Sequence, residues 1–322
     1  MTMNVPICLR ALRDWPPVNN VVTGLTRAIF RLLRRPSPDI AVKHLPRCGN
    51  VKARLPNGSL LRLWSRGDDW VSNHVYWRGW TADEPEALPL FYHLATQAAV
   101  VLDIGAHVGI YSLIASYANP SARVFAFEPF EVARNRMIAN VRRNDRSNIE
   151  IVPSAVANKS GPASFYCPPS HLPCSSSLSL EFMEQSSLGS LRQMQVDVVR
   201  IDDFCAKRGV DRVDLAKLDI EGVEPDAIEG MRNIIKKCRP DLFVEILYNR
   251  GADTALDTLA RELGYNVFAL DSTGPQYQQR ICVDPCRRNY LFTARSRSEV
   301  SALASAAATT RPRHLNIQIS HA

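Results

Sequence analysis

The sequence predicts an α/β fold, a doubly wound, Rossmann-like sheet with mostly parallel strands, and three stretches carry that prediction. Val100-Val-Leu-Asp-Ile-Gly-Ala-His-Val-Gly-Ile-Tyr-Ser-Leu113 opens with a β-branched apolar run, breaks at Gly105 and Gly109, and resumes with helical spacing. Arg123-Val-Phe-Ala-Phe-Glu-Pro129 is a second apolar run and ends in an acid. Asp214-Leu-Ala-Lys-Leu-Asp-Ile-Glu-Gly222 is a further one and delivers two acids at its end. Short apolar runs of this kind suit strands buried on both faces. Their acids and glycines fall where open α/β sheets bind ligands, at the carboxyl edge.

The elements follow in chain order. Residues 1–48 read as an N-terminal arm. Within it Leu25-Thr-Arg-Ala-Ile-Phe-Arg-Leu-Leu-Arg-Arg35 has helical spacing, arginines and no acid. That composition suits peripheral contact with an anionic membrane surface. Packing of Ile29, Phe30, Leu32 and Leu33 against the chain's own domain is the preferred expectation. Residues 49–80 form a hairpin and an aromatic-rich lead-in. Val51 to Trp64 alternates apolar and polar residues around Pro56-Asn57-Gly58. Trp70, Tyr76, Trp77 and Trp80 suit either an acceptor cleft or core packing, and packing is preferred.

The main domain is expected over 81–295. A helix over Glu84–Gln97 leads into the first strand, whose carboxyl end holds Asp103. Gly105, His107 and Gly109 form the turn that follows. Strand, glycine turn and helix open a nucleotide-binding βα unit, because glycine admits a close backbone approach and a helix N-terminus offers unpaired N–H groups. Gly105 is accordingly expected to bear no side chain because a cofactor passes close to it. Glu128 ends the second strand, one helix and one strand further on, where an acid accepts hydrogen bonds from ribose hydroxyls. Ile149–Ala155 reads as a third strand with Ser154 and Ala155 at its exit. The fourth strand delivers Asp219 and Glu221, and the fifth, Asp241–Leu247, ends near Glu245. Helical patterns cover Phe130–Arg142, Ile201–Gly209 and Pro225–Lys237. Ser160–Ser190, rich in Ser, Pro and Leu, reads as a loose lid or substrate loop. Gly264–Leu270 and Asn289–Ala294 read as a closing strand pair, and residues 296–322 as a mobile tail.

The set resembles the FkbM-type family of methyltransferases that use S-adenosyl-L-methionine (SAM). The resemblance rests on Leu102-Asp-Ile-Gly-Ala-His-Val-Gly-Ile-Tyr-Ser112, Ala126-Phe-Glu-Pro129, Ser176-Ser-Leu178, Ile201-Asp-Asp203, Val213-Asp-Leu-Ala-Lys-Leu-Asp-Ile-Glu-Gly222, Arg239-Pro-Asp-Leu-Phe-Val-Glu245 and Leu263-Gly-Tyr265. It runs from about Asp68 to Ala294 with order and spacing kept. His107 departs from it, standing where such proteins often carry asparagine. The resemblance implies SAM as cofactor, a last strand inserted antiparallel, and O-methylation of a hydroxyl on a sugar, glycolipid or secondary metabolite. The cofactor-binding candidates are then Asp103, Gly105, His107, Gly109, Glu128, Ser154, Ala155 and Asp219. The catalytic candidates are Asp219, Glu221 and Glu245, since a protonated alcohol is a poor nucleophile and a carboxylate beside it can take its proton. Which carboxylate is the base stays open.

Two other readings compete. A nicotinamide-dependent oxidoreductase would use a similar sheet, but the dinucleotide pattern G-x-G-x-x-G needs glycine at the place of His107. A non-catalytic SAM-fold binding module would have no need of the acids. Composition narrows the class further. Hydrophobic residues at 46% and charged residues at 22% are ordinary for a globular protein. The net charge of +7 favours anionic surfaces. No aromatic–basic RNA-recognition motif is visible, so no nucleic-acid partner is expected. The 8 cysteines are scattered, which argues against a disulfide scaffold. Cys167, His171 and Cys174, and the pair Cys282 and Cys286, lack a four-ligand zinc spacing, so no metal is expected. No secretory leader is evident and no apolar stretch is long enough to span a bilayer, so a cytoplasmic protein is expected. The acceptor is expected to be a small molecule or glycan; the oligomeric state is open.

Overall fold

The computed structural model describes residues 15–309 apart from 34, 174, 187–188, 249–251 and 285–286. Expectations for residues 1–14 and 310–322, and for Cys174 and Cys286, lie outside them. The described residues divide into two compact units, residues 15–84 and residues 85–309.

In the smaller unit, β1 (Cys48–Arg54) and β2 (Leu60–Arg66) form an antiparallel hairpin, Val51 opposite Leu63. Gly58 turns it at φ +84°, in the left-handed region where glycine carries no penalty. The expected hairpin is therefore present. α1 (Pro16–Leu32), α2 (Asp39–His44) and α3 (Trp70–Arg78) accompany it. Tyr76 and Trp77 of α3 are buried, and the Trp77 indole N–H donates to the Leu45 carbonyl at 3.1 Å. Packing thus absorbs most of the aromatic lead-in, while Trp70 stays exposed. The arm departs from expectation. Its helix starts nine residues earlier, at Pro16 rather than Leu25, and buries Asn19 and Thr23. Ile29, Leu32 and Leu33, expected to pack inward, are exposed.

The larger unit is built on an eight-stranded sheet of order β12-β11-β13-β10-β9-β3-β4-β5. The strands are β3 (Val100–Ile104), β4 (Arg123–Phe127), β5 (Ile149–Val152), β9 (Leu215–Leu218), β10 (Asp241–Glu245), β11 (Asn266–Asp271), β12 (Gly274–Gln278) and β13 (Asn289–Thr293). β5, β4, β3, β9 and β10 run parallel. β13 inserts antiparallel between β10 and β11. The chain builds outward from β3 through β4 to β5, then returns to β9 on the other side of β3. The sheet therefore has its topological switch point between β3 and β9, where such folds hold ligands.

Both sheet faces are covered. One carries the side chains of Leu102, Ile104, Phe125, Phe127, Leu218, Leu242 and Val244, in one apolar cluster with Ile201 and Phe204 of α8 (Ile201–Arg208), Ala227 and Ile228 of α9 (Glu224–Gly230) and Leu256 of α11 (Ala252–Glu262). On the other face, Phe91 of α4 (Leu88–Ala95) packs edge-on against Phe243 and against Tyr111 of α5 (Ile110–Ala118). This two-sided cover explains why the central strands are apolar at nearly every position.

Four expectations need correction. The third strand does not run through to Ala155: it stops at Val152, and β6 (Ser154–Val156) joins a separate sheet of order β6-β8-β7. Proline cannot donate to a ladder, and Pro153 marks the break. The serine-rich stretch holds β7 (Gly161–Cys167) and α7 (Leu180–Ser186), and β8 (Arg192–Val199) pairs antiparallel with β7. The helix expected over Pro225–Lys237 is two, α9 and α10 (Arg232–Cys238), separated at Met231. Gly230 lies so close to Ala157 that a Cβ would meet its carbonyl oxygen at 2.3 Å. The tail is helical over α12 (Arg297–Ala308), with a reciprocal capping box between Ser296 and Glu299. α6 (Glu131–Arg143) completes the β4-to-β5 crossover.

Candidate active site

The turn after β3 is shaped by three left-handed residues, Gly105, His107 and Gly109, at φ +85°, +49° and +86°. The N–H groups of Gly105 and Ala106 both donate to the Phe127 carbonyl, at 3.1 and 3.0 Å, which ties the turn to the end of β4. Glu128 continues the tie. One of its carboxylate oxygens accepts from the His107 N–H at 2.7 Å and the other from the Phe130 N–H at 2.8 Å. Burial raises the Glu128 pKa, and nearby His107 and these hydrogen bonds oppose the rise. Gly109 N-caps α5 with no side chain doing so. A Cβ there would lie 2.7 Å from Met137.

Asp103, at the end of β3, is held by the helix that follows. It is buried, and its carboxylate accepts from both the N–H and the hydroxyl of Ser112, at 2.9 and 2.5 Å. It thus steadies the first turn of α5 from below. Burial raises its pKa to about 6 against these hydrogen bonds.

The exits of β9 and β10 supply the second half of the site. The Asp219 N–H donates to the Ile104 carbonyl at 3.0 Å, which fixes the β9 exit against β3. Asp219, Glu221 and Glu245 bring carboxylate oxygens within 4.8 Å of one another, close enough to hold a metal ion together. The cation already present is Lys217, fully buried in the middle of β9. Its ammonium lies 3.5 Å from Asp219, 3.2 Å from the Asn289 side-chain oxygen and 5.1 Å from the centre of the Tyr111 ring. Arg288 approaches Glu245 at 3.6 Å from the more exposed side.

These neighbours separate the two central acids. Burial would raise Asp219, but Lys217, a hydrogen bond from Glu245 and Arg288 hold it below the usual carboxylate range. Burial and the adjacent Asp219 charge push Glu245 well above that range. Burial and the Asp219 charge thus disfavour ionisation of Glu245, whereas Lys217 and Arg288 favour the ionised form of Asp219. Asp219 is part-exposed and Glu245 buried, so Asp219 is the more accessible of the two.

The loop beyond β9 is held by Glu224, which the sequence reading did not pick out, and by Ser177, which it did. Glu221 has φ +58° and Gly222 φ +97°. The buried Glu224 side chain turns back to accept from the N–H of Ile220 at 3.1 Å and of Gly222 at 3.0 Å. The Ser177 hydroxyl donates to the Glu221 carbonyl at 2.8 Å, giving that serine a specific task. Lys217 had a visible signal, a lysine inside an otherwise apolar strand. Glu224 had a weaker one, an acid beside the proline that opens a helix.

The two halves meet at Gly105. A Cβ built on it would lie 1.9 Å from the Asp219 carbonyl oxygen. The room for a side chain, which the sequence reading expected a cofactor to take, is already taken by the β9 exit. Ser154 and Ala155, expected at the same edge, lie on β6, where they pair with Asp197 and Val198 of β8.

The methyltransferase FkbM domain matches residues 103–267 of this chain. The 2-O-methyltransferase NoeI of Sinorhizobium fredii is 28% identical over 156 residues, covering 44% of this chain and 60% of NoeI. The hexuronic acid methyltransferase AglP of Haloferax volcanii is 26% identical over 172 residues, covering 53% of this chain and 64% of AglP. The matches thus span less than two thirds of either relative. Among solved structures, the methyltransferase FkbM of Methylobacillus flagellatus is 18% identical with a TM-score of 0.40, over 87% of this chain and 62% of that one.

Proposed function

The chain belongs to the methyltransferase FkbM family, and from that premise we propose that it methylates a hydroxyl oxygen of a sugar or sugar-bearing acceptor. The methyl donor is S-adenosyl-L-methionine, which supplies when bound a methyl group already activated on a positive sulfur. The turn Gly105–Gly109 and Glu128 form its cradle. The fit rests on one atom: His107 Nε2 is buried and has no hydrogen-bond partner among the described residues. A buried imidazole nitrogen left so is costly unless a ligand meets it. Each Glu128 oxygen spends one lone pair on a backbone N–H and keeps another for a ribose hydroxyl. Asp103 acts through α5, whose first turn it holds, and Ser154 and Ala155 belong to β6 of the separate three-stranded sheet.

Asp219 receives the acceptor's proton. The observation that carries this reading is geometric: part-exposed Asp219 stands at the exit of β9 with the buried Lys217 ammonium 3.5 Å from its carboxylate. That carboxylate lies at the switch point of the sheet, with the buried Glu245 carboxyl within 4.8 Å of it. Lys217 orients Asp219, and Glu221 lines the edge beside it. The Lys217 charge favours the ionised form of Asp219, which can accept the hydroxyl proton as the oxygen–methyl bond forms and the sulfur–methyl bond of SAM breaks. O-methylation is supported by the similarity to NoeI, a 2-O-methyltransferase, and a sugar acceptor by the similarity to AglP, a hexuronic acid methyltransferase.

The test is transfer of an isotopically labelled methyl group from SAM to a panel of hexoses, uronic acids and oligosaccharides, with product analysis by mass spectrometry. Label in a methyl ether of a sugar is expected. Label in a carboxylate ester or an amine would reject O-methylation of a hydroxyl. Titration with NAD in place of SAM is expected to show no binding.

A further inference from the structure

α1 lies in its unit the wrong way round for a packing helix. It is 17 residues long, about 25 Å at the rise of an α-helix. Its buried side is polar. The Asn19 side chain accepts from the Cys48 N–H and donates to the Pro46 carbonyl, both at 2.8 Å. The Thr23 hydroxyl accepts from the Arg47 guanidinium at 2.7 Å. These bonds fix the rotation of the helix. At 100° per residue, the opposite side presents Val21, Leu25, Ile29 and Leu32, spaced i, i+4, i+8 and i+11. All four are exposed, Leu25 at 62% and Leu32 at 85%, and Trp15 at the N-cap is exposed beside them. Burying that row inside its own unit would have required the opposite rotation.

Charge selects what covers it. No acid occurs between Trp15 and Pro38, whereas Arg27, Arg31 and Arg35 do. Arg27 and Arg47 both lie over the Tyr76 ring, at 4.6 and 4.7 Å from its centre. The charged neighbours of Arg27 are Arg31 and Arg47, of its own sign. Arg31 and Arg35 are exposed. An exposed apolar row beside like-charged guanidiniums matches a surface that is apolar within and anionic at its face, and it does not match a second apolar protein surface. We propose that α1 is an interfacial anchor: it lies flat in an anionic lipid surface, with Leu25, Ile29 and Leu32 in the acyl boundary and the arginines among lipid phosphates. No helix among the described residues is long and apolar enough to cross a membrane. The inference is independent of the methyl acceptor.

The full chain should be floated with vesicles of phosphatidylcholine alone and with vesicles containing phosphatidylglycerol as well. Binding to the anionic vesicles is expected, weakened by salt, and roughly tenfold weaker or more on the neutral ones. The Leu25→Glu, Ile29→Glu double variant should lose it by a similar factor with an unchanged Tm, since both positions are exposed. Leu25→Ser, Ile29→Ser serves as a milder second variant. Arg31→Glu should lose the anionic preference. Equal binding to both vesicle types, or none to either, overturns the proposal. So does a concentration-dependent dimer in sedimentation velocity that the double variant dissociates while wild type ignores vesicles. That result would make the row a contact between copies.

Discussion

The two halves of the candidate site use carboxylates in opposite ways. On the β3–β4 side, Asp103 and Glu128 spend their oxygens on backbone N–H groups and one hydroxyl, each placed by the turn or the helix that follows. On the β9–β10 side, Asp219, Glu221 and Glu245 crowd within 4.8 Å and answer to Lys217 and Arg288. The first half is a shape held by acids; the second is a charge held by a lysine. The lesson is that an acid at a strand end has no fixed meaning. Its partners decide whether its lone pairs build the backbone or face a substrate. Removing a charge should therefore be costly for turnover on one side, and costly for loop geometry on the other.

The largest effect is expected at Asp219. Asp219→Asn keeps the shape but cannot take a proton, so turnover should fall by roughly 10²–10⁴-fold, with SAM affinity changed far less. A parallel collapse of SAM affinity would place Asp219 on the donor side and erase the contrast. Gly105 tests the seam between the halves. Gly105→Ala should destabilise the fold by about 2–4 kcal/mol in denaturant unfolding, because the Cβ meets backbone that cannot rotate away and φ is positive. An unchanged unfolding midpoint with lost SAM binding would restore the reading in which the cofactor alone excludes a side chain.

Glu128→Ala should be milder. It removes a carboxylate that orders the turn and is proposed to hold ribose, and a charged hydrogen bond contributes about 1.5–3 kcal/mol. SAM affinity should fall by roughly tenfold or more in isothermal titration, with turnover at saturating SAM nearly kept. A large loss of turnover at saturation would mean that the turn also positions the acceptor side.

What the sequence made legible follows the same division. The parallel strands, the glycine turn and the acids at their ends were readable because two-sided burial leaves long apolar runs and glycine marks positive φ. The orientation of those acids was not readable. Asp103 and Glu128 both end apolar strands, yet Ser112, nine positions on, claims one, and two backbone N–H groups claim the other. β8 escaped notice although Met194, Val196 and Val198 alternate with polar residues, because its partner β7 lies across a long serine-rich stretch. α1 was misjudged for a physical reason. Periodicity identifies an apolar face but not its direction, and here Asn19 and Thr23 set the direction by hydrogen bonding.

The smallest effect expected is a pH dependence of stability, and it sharpens the comparison because it originates in both halves. Glu224 is buried beneath the loop of Asp219, and burial lifts its pKa from 4.5 to about 7 against the N–H bonds it accepts. Asp103, beneath the other loop, is lifted from 3.8 to about 6 for the same reason. Both groups therefore bind protons more tightly folded than unfolded. Their contribution is fully present below the unfolded values and is lost as pH rises through the folded ones. Asp219, lowered instead, acts with the opposite sign but at a pH below this window. Between pH 5 and pH 8 the Tm should thus fall, by an amount reflecting on the order of 1–3 kcal/mol. Glu224→Gln is neutral throughout, and its amide oxygen can still accept from Ile220 and Gly222, so the variant should show a flatter Tm profile than wild type. Measured at pH 5, 6, 7 and 8 by calorimetry, parallel profiles would mean that Glu224 stays ionised in the fold. The loop carrying Asp219 would then rest on a buried charge, and the contrast between a shaped half and a charged half would fail at the residue holding them level.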